Sequence, residues 1–304
     1  MIDKAFFELN PARSVISVGG EDRAEFLQGL ISNDTRHISD TRAIYAALLS
    51  PQGKFAYDLL LVGQDKGERY LVDAENTRRA DLLKRLRLFK LRSKVTLDDL
   101  DADLVVVNLF GGDTLPRLGL AAEPGAARAL AWGFVFTDPR LPALGARAFL
   151  PRATAEQSLV DLGFTAATPG DFQRLRFALG VPEGSNDLIP DKSILLESGV
   201  DELHGVDWQK GCYMGQELTA RTKYRGLVRK RLLPVKIEGA ALAPGAILNI
   251  DGKEAGEIRI VDGERGLALI RLEHLDVMTS EGTDVDGAHV TASVPDWVKL
   301  PEMA

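Results

Sequence analysis

Short apolar runs of strand composition, broken by one long amphipathic helix and ending in a helix-poor segment, predict an α+β protein with a small separate β domain at its C-terminus. The runs DLVVVNLF (103–110), GFVFTD and ARAFLP are of strand type. Residues 76–90 carry Leu82, Leu83, Leu86 and Phe89 at helical spacing, with Arg78, Arg79, Lys84, Arg85 and Arg87 on the other side. Beyond Arg231, LLPVKI, AILNI, EAGEIRI, GLALIRL and AHVTASV are separated by Gly or Asp-Gly turns, so residues 236–304 are expected to form a β domain of their own after an α+β region at 1–235.

In chain order, EDRAEFLQGLI (21–31) places Ala24, Phe26, Leu27, Leu30 and Ile31 on one face, with acids in the first turn, and predicts a core-facing helix. Ser32, Asn33 and Asp34 read as turn formers, and SPQGK as a turn marked by Pro51 and Gly53. FAYDLLLVG is a strand that would carry Asp58 into apolar surroundings, and YLVDA (70–74) is another. The Gly/Pro/Ala-rich stretch 111–131 reads as a loop or weak hairpin, and a short helix is expected near 153–162. In TPGDFQRLRFALGVPEG, Asp171 as N-cap, Gly180 beyond the end and Pro182 as a stop predict a helix over 172–179.

Composition excludes several classes. No run reaches the eighteen or so apolar residues of a membrane helix. No GxGxxG, GxxxxGK[ST], HExxH or CxxC is present, and the four histidines lack metal-ligand spacing, so no intrinsic metal is expected. The N-terminus lacks the apolar core of a signal peptide and the Arg/Ser-rich character of a transit peptide, which predicts a cytoplasmic protein. The net charge of −7 is uneven: residues 236–304 hold 6 basic and 13 acidic residues, leaving 31 of each before them. A globally basic nucleic-acid surface is therefore not expected.

One stretch concentrates chemistry. DWQKGCYMGQELTARTKYRGLVRKR (207–231) holds the only cysteine, Cys212, and from Lys210 to Arg231 seven cations against Glu217. Gly211 and Gly215 around Cys212 and Tyr213 suggest a tight loop leading into a helix, where N–H groups, Lys210 and Arg221 would favour a thiolate. Such a group serves as nucleophile, redox centre or soft metal ligand; against this stands a lone cysteine acting as a small buried hydrophobe. The cations suit ligand carboxylates or phosphates, or a solvated face. Asp58 is a second candidate, beside the plainer reading of a satisfied strand carboxylate.

KGCYMGQELTAR resembles the K-G-C-[FY]-x-G-Q-E-x-x-x-R signature of YgfZ-type folate-binding proteins, and the run through KYRGLVRKRLLPV is similar to their mitochondrial iron–sulfur assembly relatives. EFLQGLISNDT, LLSPQGKFAYDLLL, RLRFALGVPEG and ILLESGVDELHGVDWQKG extend the likeness over most of 20–235. The resemblance implies a ring-like, multi-domain aminomethyltransferase (glycine cleavage T-protein) fold, with 1–235 as a folate-binding region of two interleaved subdomains. It implies bound tetrahydrofolate, with Asp58, Lys210 and Arg221 as ligands. It further implies help in assembling or repairing four-iron clusters, including those of tRNA methylthiolation enzymes, through a loop of Lys210, Gly211, Cys212, Tyr213, Gly215, Gln216, Glu217 and Arg221. Partners would be iron–sulfur assembly proteins and client enzymes, with no membrane and no nucleic acid. Two departures count against aminomethyl transfer, the alternative activity: Tyr57 replaces the first of two adjacent acids, and Ala178 stands where a helix glutamate is expected.

Overall fold

A computed structural model describes residues 4–226 and 228–300. The chain groups into two compact units, one of Met1–Leu49, Tyr57–Phe172 and His204–Met214, the other of Ser50–Ala56, Gln173–Leu203 and Gly215–Ala304. The division does not fall at residue 235, because segments on both sides of that point pack into the second unit.

The first unit contains two sheets. One has the order β11-β1-β7-β10-β9-β8, built from β1 (Ala5–Leu9), β7 (Leu104–Gly111), β8 (Ala127–Leu130), β9 (Gly133–Thr137), β10 (Ala146–Pro151) and β11 (Thr165–Ala166). The other has the order β3-β4-β5-β2-β6, from β2 (Arg13–Gly19), β3 (Ala43–Leu49), β4 (Phe55–Gln64), β5 (Arg69–Glu75) and β6 (Thr96–Asp99). β1–β7, β7–β10, β9–β10, β8–β9, β2–β5, β2–β6 and β4–β5 pair antiparallel, and β11 makes a short parallel contact with β1.

Every residue of β2 and β3 is buried, as is nearly all of β4, so these strands face protein on both sides. Their apolar runs follow from that position. So does a constraint: any charge they carry must find its partner inside. Arg13 of β2 donates to Asp73 at 2.5 Å and to Asp58 at 2.7 Å, and Arg147 of β10 donates to the other oxygen of Asp73 at 2.6 Å. Asp138 is held by Arg140 at 2.7 Å and lies 4.0 Å from Arg147. No side chain of this chain of pairs is more than 2% exposed, and Asp73 ties one sheet to the other.

The helices are short. α1 (Arg23–Gln28) stops earlier than its periodicity suggests, with Gly29 at its C-cap, and Phe26 and Leu27 on its buried face. α2 (Arg79–Lys90) follows a single tight turn at Asn76–Arg78 and buries Leu82, Leu83 and Leu86. Within 111–131, expected to be a loop or weak hairpin, lie α3 (Thr114–Leu118) and β8, which pairs antiparallel with β9. Then come α4 (Ala155–Asp161) and α5 (Asp171–Ala178), within a residue or two of their predicted bounds.

In the second unit, α6 (Gly184–Asp187) and α7 (Gln216–Tyr224) precede a six-stranded sheet ordered β13-β14-β15-β12-β17-β16. Its strands are β12 (Lys230–Gly239), β13 (Ile247–Ile250), β14 (Lys253–Asp262), β15 (Arg265–Arg271), β16 (Thr283–Val285) and β17 (Ala288–Ala292), with α8 (Leu275–Ser280) between β15 and β16. The edge strands nearly meet: Thr283 donates to the Asn249 carbonyl at 2.5 Å, which almost closes a barrel around Leu233, Leu248, Ile258, Ile270, Met278 and Val290. This β domain starts at Lys230 because β12 is an interior strand, paired to β15 on one side and β17 on the other. Among the described residues no helix is long and apolar enough to cross a membrane.

Replacing Asp73 with alanine would remove the carboxylate that the buried guanidinium groups of Arg13 and Arg147 share, leaving Asp58 beside the first and Asp138, at 4.0 Å, beside the second. Urea unfolding of Asp73→Ala is expected to show a loss of about 3–5 kcal/mol; a loss below about 1 kcal/mol, the scale of a surface pair, would contradict the load assigned to this carboxylate.

Candidate functional site

The motif predicted from sequence is divided between the units: Lys210, Gly211, Cys212 and Tyr213 belong to the first, Gly215, Gln216, Glu217 and Arg221 to the second. Cys212 is exposed, and its thiol makes no hydrogen bond among the described residues. The structure therefore does not treat it as a small buried hydrophobe. α7 begins at Gln216 with Gly215 at its N-cap, so the cysteine precedes the cap by three residues. The N-cap geometry needs glycine, since Gly215 has φ of 80°. Gly53, in the SPQGK turn of the same unit, also has φ of 80°, and a Cβ there would come within 2.6 Å of the Gly215 carbonyl oxygen and of Leu218. Around Gly211 there is open space.

What fixes the thiol-bearing loop is the tract Gln28–Asp34. Ser32, Asn33 and Asp34, which look like simple turn formers, are buried. The Ser32 hydroxyl donates to the Gly205 carbonyl at 2.5 Å, and the Asn33 amide to the carbonyls of Tyr45 (2.7 Å) and His204 (2.8 Å). The Asp207 N–H donates to Ser32, and the Met214 N–H to Gly29 at 3.0 Å. Between these ties the Lys210 ammonium donates to three main-chain carbonyls, Gln28 at 2.9 Å, Ile31 at 2.6 Å and Asn33 at 2.8 Å. An ammonium has three N–H donors, and all are used. Lys210 also sits 5.0 Å from the centre of the buried Tyr213 ring. The lysine expected to tune the thiol or bind a ligand is instead a staple beneath the loop.

The electrostatics agree. Burial pushes the Lys210 ammonium down to about 8, against the pull of the Asp34 and Asp207 carboxylates. Asp34 is held down at about 2, chiefly by its hydrogen bonds from Arg36. Asp34, His37 and Asp207 are the one group of three metal-ligating side chains among the described residues, their ligand atoms within 4.8 Å of one another. Both oxygens of Asp34 are occupied by Arg36. Asp207 faces His37 with one oxygen at 3.1 Å and takes the Gln209 and Lys210 N–H groups with the other. The cluster satisfies itself, and no ion is assigned to it.

The other candidates disperse. Asp58 is buried on Arg13, while Tyr57 lies under the Arg78 guanidinium at 4.2 Å. Of the cations after Lys210, Arg231 is buried against Glu202, Lys230 reaches Glu254 at 3.5 Å, and Lys223 reaches Asp201 at 3.1 Å. Arg221, Arg225 and Arg229 are exposed, as is Glu217. These residues do not form the single positive pocket that their density in sequence suggests.

Over 313 residues the chain is 34% identical to a mouse (Mus musculus) protein, the mitochondrial iron–sulfur cluster assembly factor IBA57, covering 94% of this chain and 83% of that protein. The chain belongs to the IBA57 family. The human protein of the same name is 34% identical over 318 residues, covering 96% of this chain and 85% of its own length. A Mycosarcoma maydis IBA57 homolog is 35% identical over 252 residues, covering 79% of this chain and 59% of that protein. Residues 229–300 match the CAF17 C-terminal beta-barrel domain. The crystal structure of glycine cleavage system aminomethyltransferase T from Bartonella henselae superposes with a TM-score of 0.77 at 17% identity, covering 97% of this chain and 86% of that one, and shows the T-protein fold.

These findings narrow the YgfZ-type resemblance to the IBA57 family, whose function is iron–sulfur cluster assembly. They also correct one expectation. The relatives are named as mitochondrial proteins, which overturns the cytoplasmic placement drawn from N-terminal composition.

In the IBA57-family loop the Lys210 staple has a measurable signature. The folded chain releases this proton at about 8 and the unfolded chain near the ordinary 10.5, so between those values the unfolded state binds more protons. The lysine's contribution to stability is thus least favourable below about 8 and improves as pH rises towards 10.5. Relative to Lys210→Met, the wild-type urea midpoint should climb across this range; parallel profiles for the two proteins would rule the staple's titration out.

Proposed function

We propose that this chain handles an iron–sulfur cluster in transit, with Cys212 as its one thiolate ligand and the remaining ligands supplied by the protein that delivers or receives the cluster. The supporting observation is the state of the thiol: it is exposed and unengaged, on a loop whose backbone and lysine are stitched to the Gln28–Asn33 carbonyls. Cluster irons are held by several cysteine thiolates, typically about four. A chain with one cysteine supplies one of them, so the cluster is a shared cargo. Four-iron enzymes, tRNA methylthiolases among them, are the clients this reading favours.

Tetrahydrofolate, implied by the resemblance, would call on Asp58, Lys210 and Arg221, of which Arg221 alone is exposed. Asp58 is spent on Arg13 inside the first unit, and all three Lys210 donors are spent on carbonyls. The residues present do not fit that mode of recognition. Aminomethyl transfer meets the same obstacle, with a tyrosine at 57 and a committed carboxylate at 58.

Cys212→Ser, at wild-type protein level in cells lacking the native gene, is expected to lose at least about ten-fold of four-iron enzyme activity, on the order of the loss for removing a metal-site group. Full activity of the variant would refute the role of the thiol. Tetrahydrofolate at saturating concentration is expected to leave the thermal midpoint of the purified protein unmoved, since a ligand bound only by the native state must raise it. A saturable rise would restore folate as a ligand.

A further inference from the structure

The helical period that buries Leu82, Leu83 and Leu86 of α2 leaves two later leucines unaccounted for. Leu88 is 68% exposed and Leu91 is 87% exposed, with Phe89 at 38% between them. By helical spacing Lys84, Arg87, Leu88 and Leu91 fall on one stripe of α2 and its C-cap, turned away from the core face. Leu91 also has φ of 45°, a conformation that glycine or asparagine adopts at lower cost. Backbone preference and packing would both place a small or polar residue there.

The charge around these leucines is one-sided. From Lys84 to Lys94 the sequence KRLRLFKLRSK holds six cations and no acid, and Lys84, Arg87, Lys90 and Arg92 have no ionic partner among the described residues. Nearby acids are fewer and partly engaged: Glu21 meets the Lys94 ammonium at 2.7 Å, and Asp22 accepts the Lys94 N–H at 2.7 Å. Asp22 and Glu25 line a cleft bordered by Phe89 and Ser93, and neither Leu88 nor Leu91 is among its walls.

We propose that the C-terminal end of α2 rests on an anionic lipid surface, with Leu88 and Leu91 entering the interface and Arg87, Lys90 and Arg92 meeting the phosphate headgroups. With 12 residues α2 is too short to span a bilayer, so the contact is with one leaflet. It departs from the expectation that no membrane is a partner. Two features favour lipid over an acidic protein. The leucines project from a helix end instead of lining a groove, so a protein would have to bring a pocket to them, whereas acyl chains close around any projecting apolar group. An unbroken run of cations also suits a continuous anionic surface better than the mixed charges of a protein interface. The whole chain, at −7, is repelled by such a surface, so adsorption must come from a local patch. Nothing in this contact depends on the role given to Cys212.

Flotation of the purified full chain with vesicles of phosphatidylglycerol and phosphatidylcholine tests this. Wild type should float with the mixed vesicles and not with phosphatidylcholine alone. Arg87→Gln/Arg92→Gln is expected to lower the partition coefficient at least about ten-fold, the scale for two cations near an anionic surface. Leu88→Gln/Leu91→Gln should lower it by about as much through lost acyl-chain contact. Lys253→Gln/Arg265→Gln, which removes two exposed cations of the barrel, should float as wild type does. Urea midpoints check that each variant is folded. No flotation with anionic vesicles, full flotation of the leucine variant, or an equal loss in the barrel variant would overturn the assignment. So would binding of a glutamate-rich helical peptide through the same residues without flotation, which would give the end of α2 to an acidic protein segment. Cys212→Ser should float unchanged, so this reading and that of the thiol fail separately.

Discussion

Asp73 carries the constraint on which the first unit rests. A carboxylate with no access to water, facing two arginines from different sheets, is tolerable only because Arg13 and Arg147 use both its oxygens and because Asp58 and Asp138 complete the neutralisation. The strands around it can then be buried on both faces. The first unit is thus held by geometry as much as by apolar area, and Asp58 is engaged within this lattice.

Much of the architecture was legible in sequence because the periodic signals were strong. Helices 79–90 and 171–178 and the strands of the C-terminal barrel follow from leucine spacing, capping residues and Gly turns. The strands at Ala5–Leu9 and Arg13–Gly19 were not visible. The first is short, and the second opens with an arginine that reads as solvated until its buried partners are known. The start of α7 within the motif was anticipated by Gly215. The domain boundary was hidden because nothing local indicates that residues 50–56 and 173–203 pack with the C-terminal unit.

The site was half legible. A unique cysteine among cations stands out in the sequence, and in the structure it is exposed. The cations misled, because a linear cluster says nothing about which of them will meet an acid or a carbonyl in three dimensions. Lys210, Lys223, Lys230 and Arg231 are each engaged elsewhere. The groups that hold the loop, Ser32 and Asn33, were concealed by their ordinary role as turn formers. Only their burial with side-chain bonds to residues about 170 positions away reveals them as a socket.

The solitary nature of Cys212 has a further consequence for the protein's survival. An exposed thiol that is oxidised to a sulfenic acid is normally rescued by a neighbouring cysteine, which condenses with it to a disulfide before further oxidation. This chain contains no second sulfhydryl to do so. Its reductive repair therefore depends on small thiols or another protein, and under oxidative stress the same openness that allows exchange leaves the residue exposed to irreversible overoxidation.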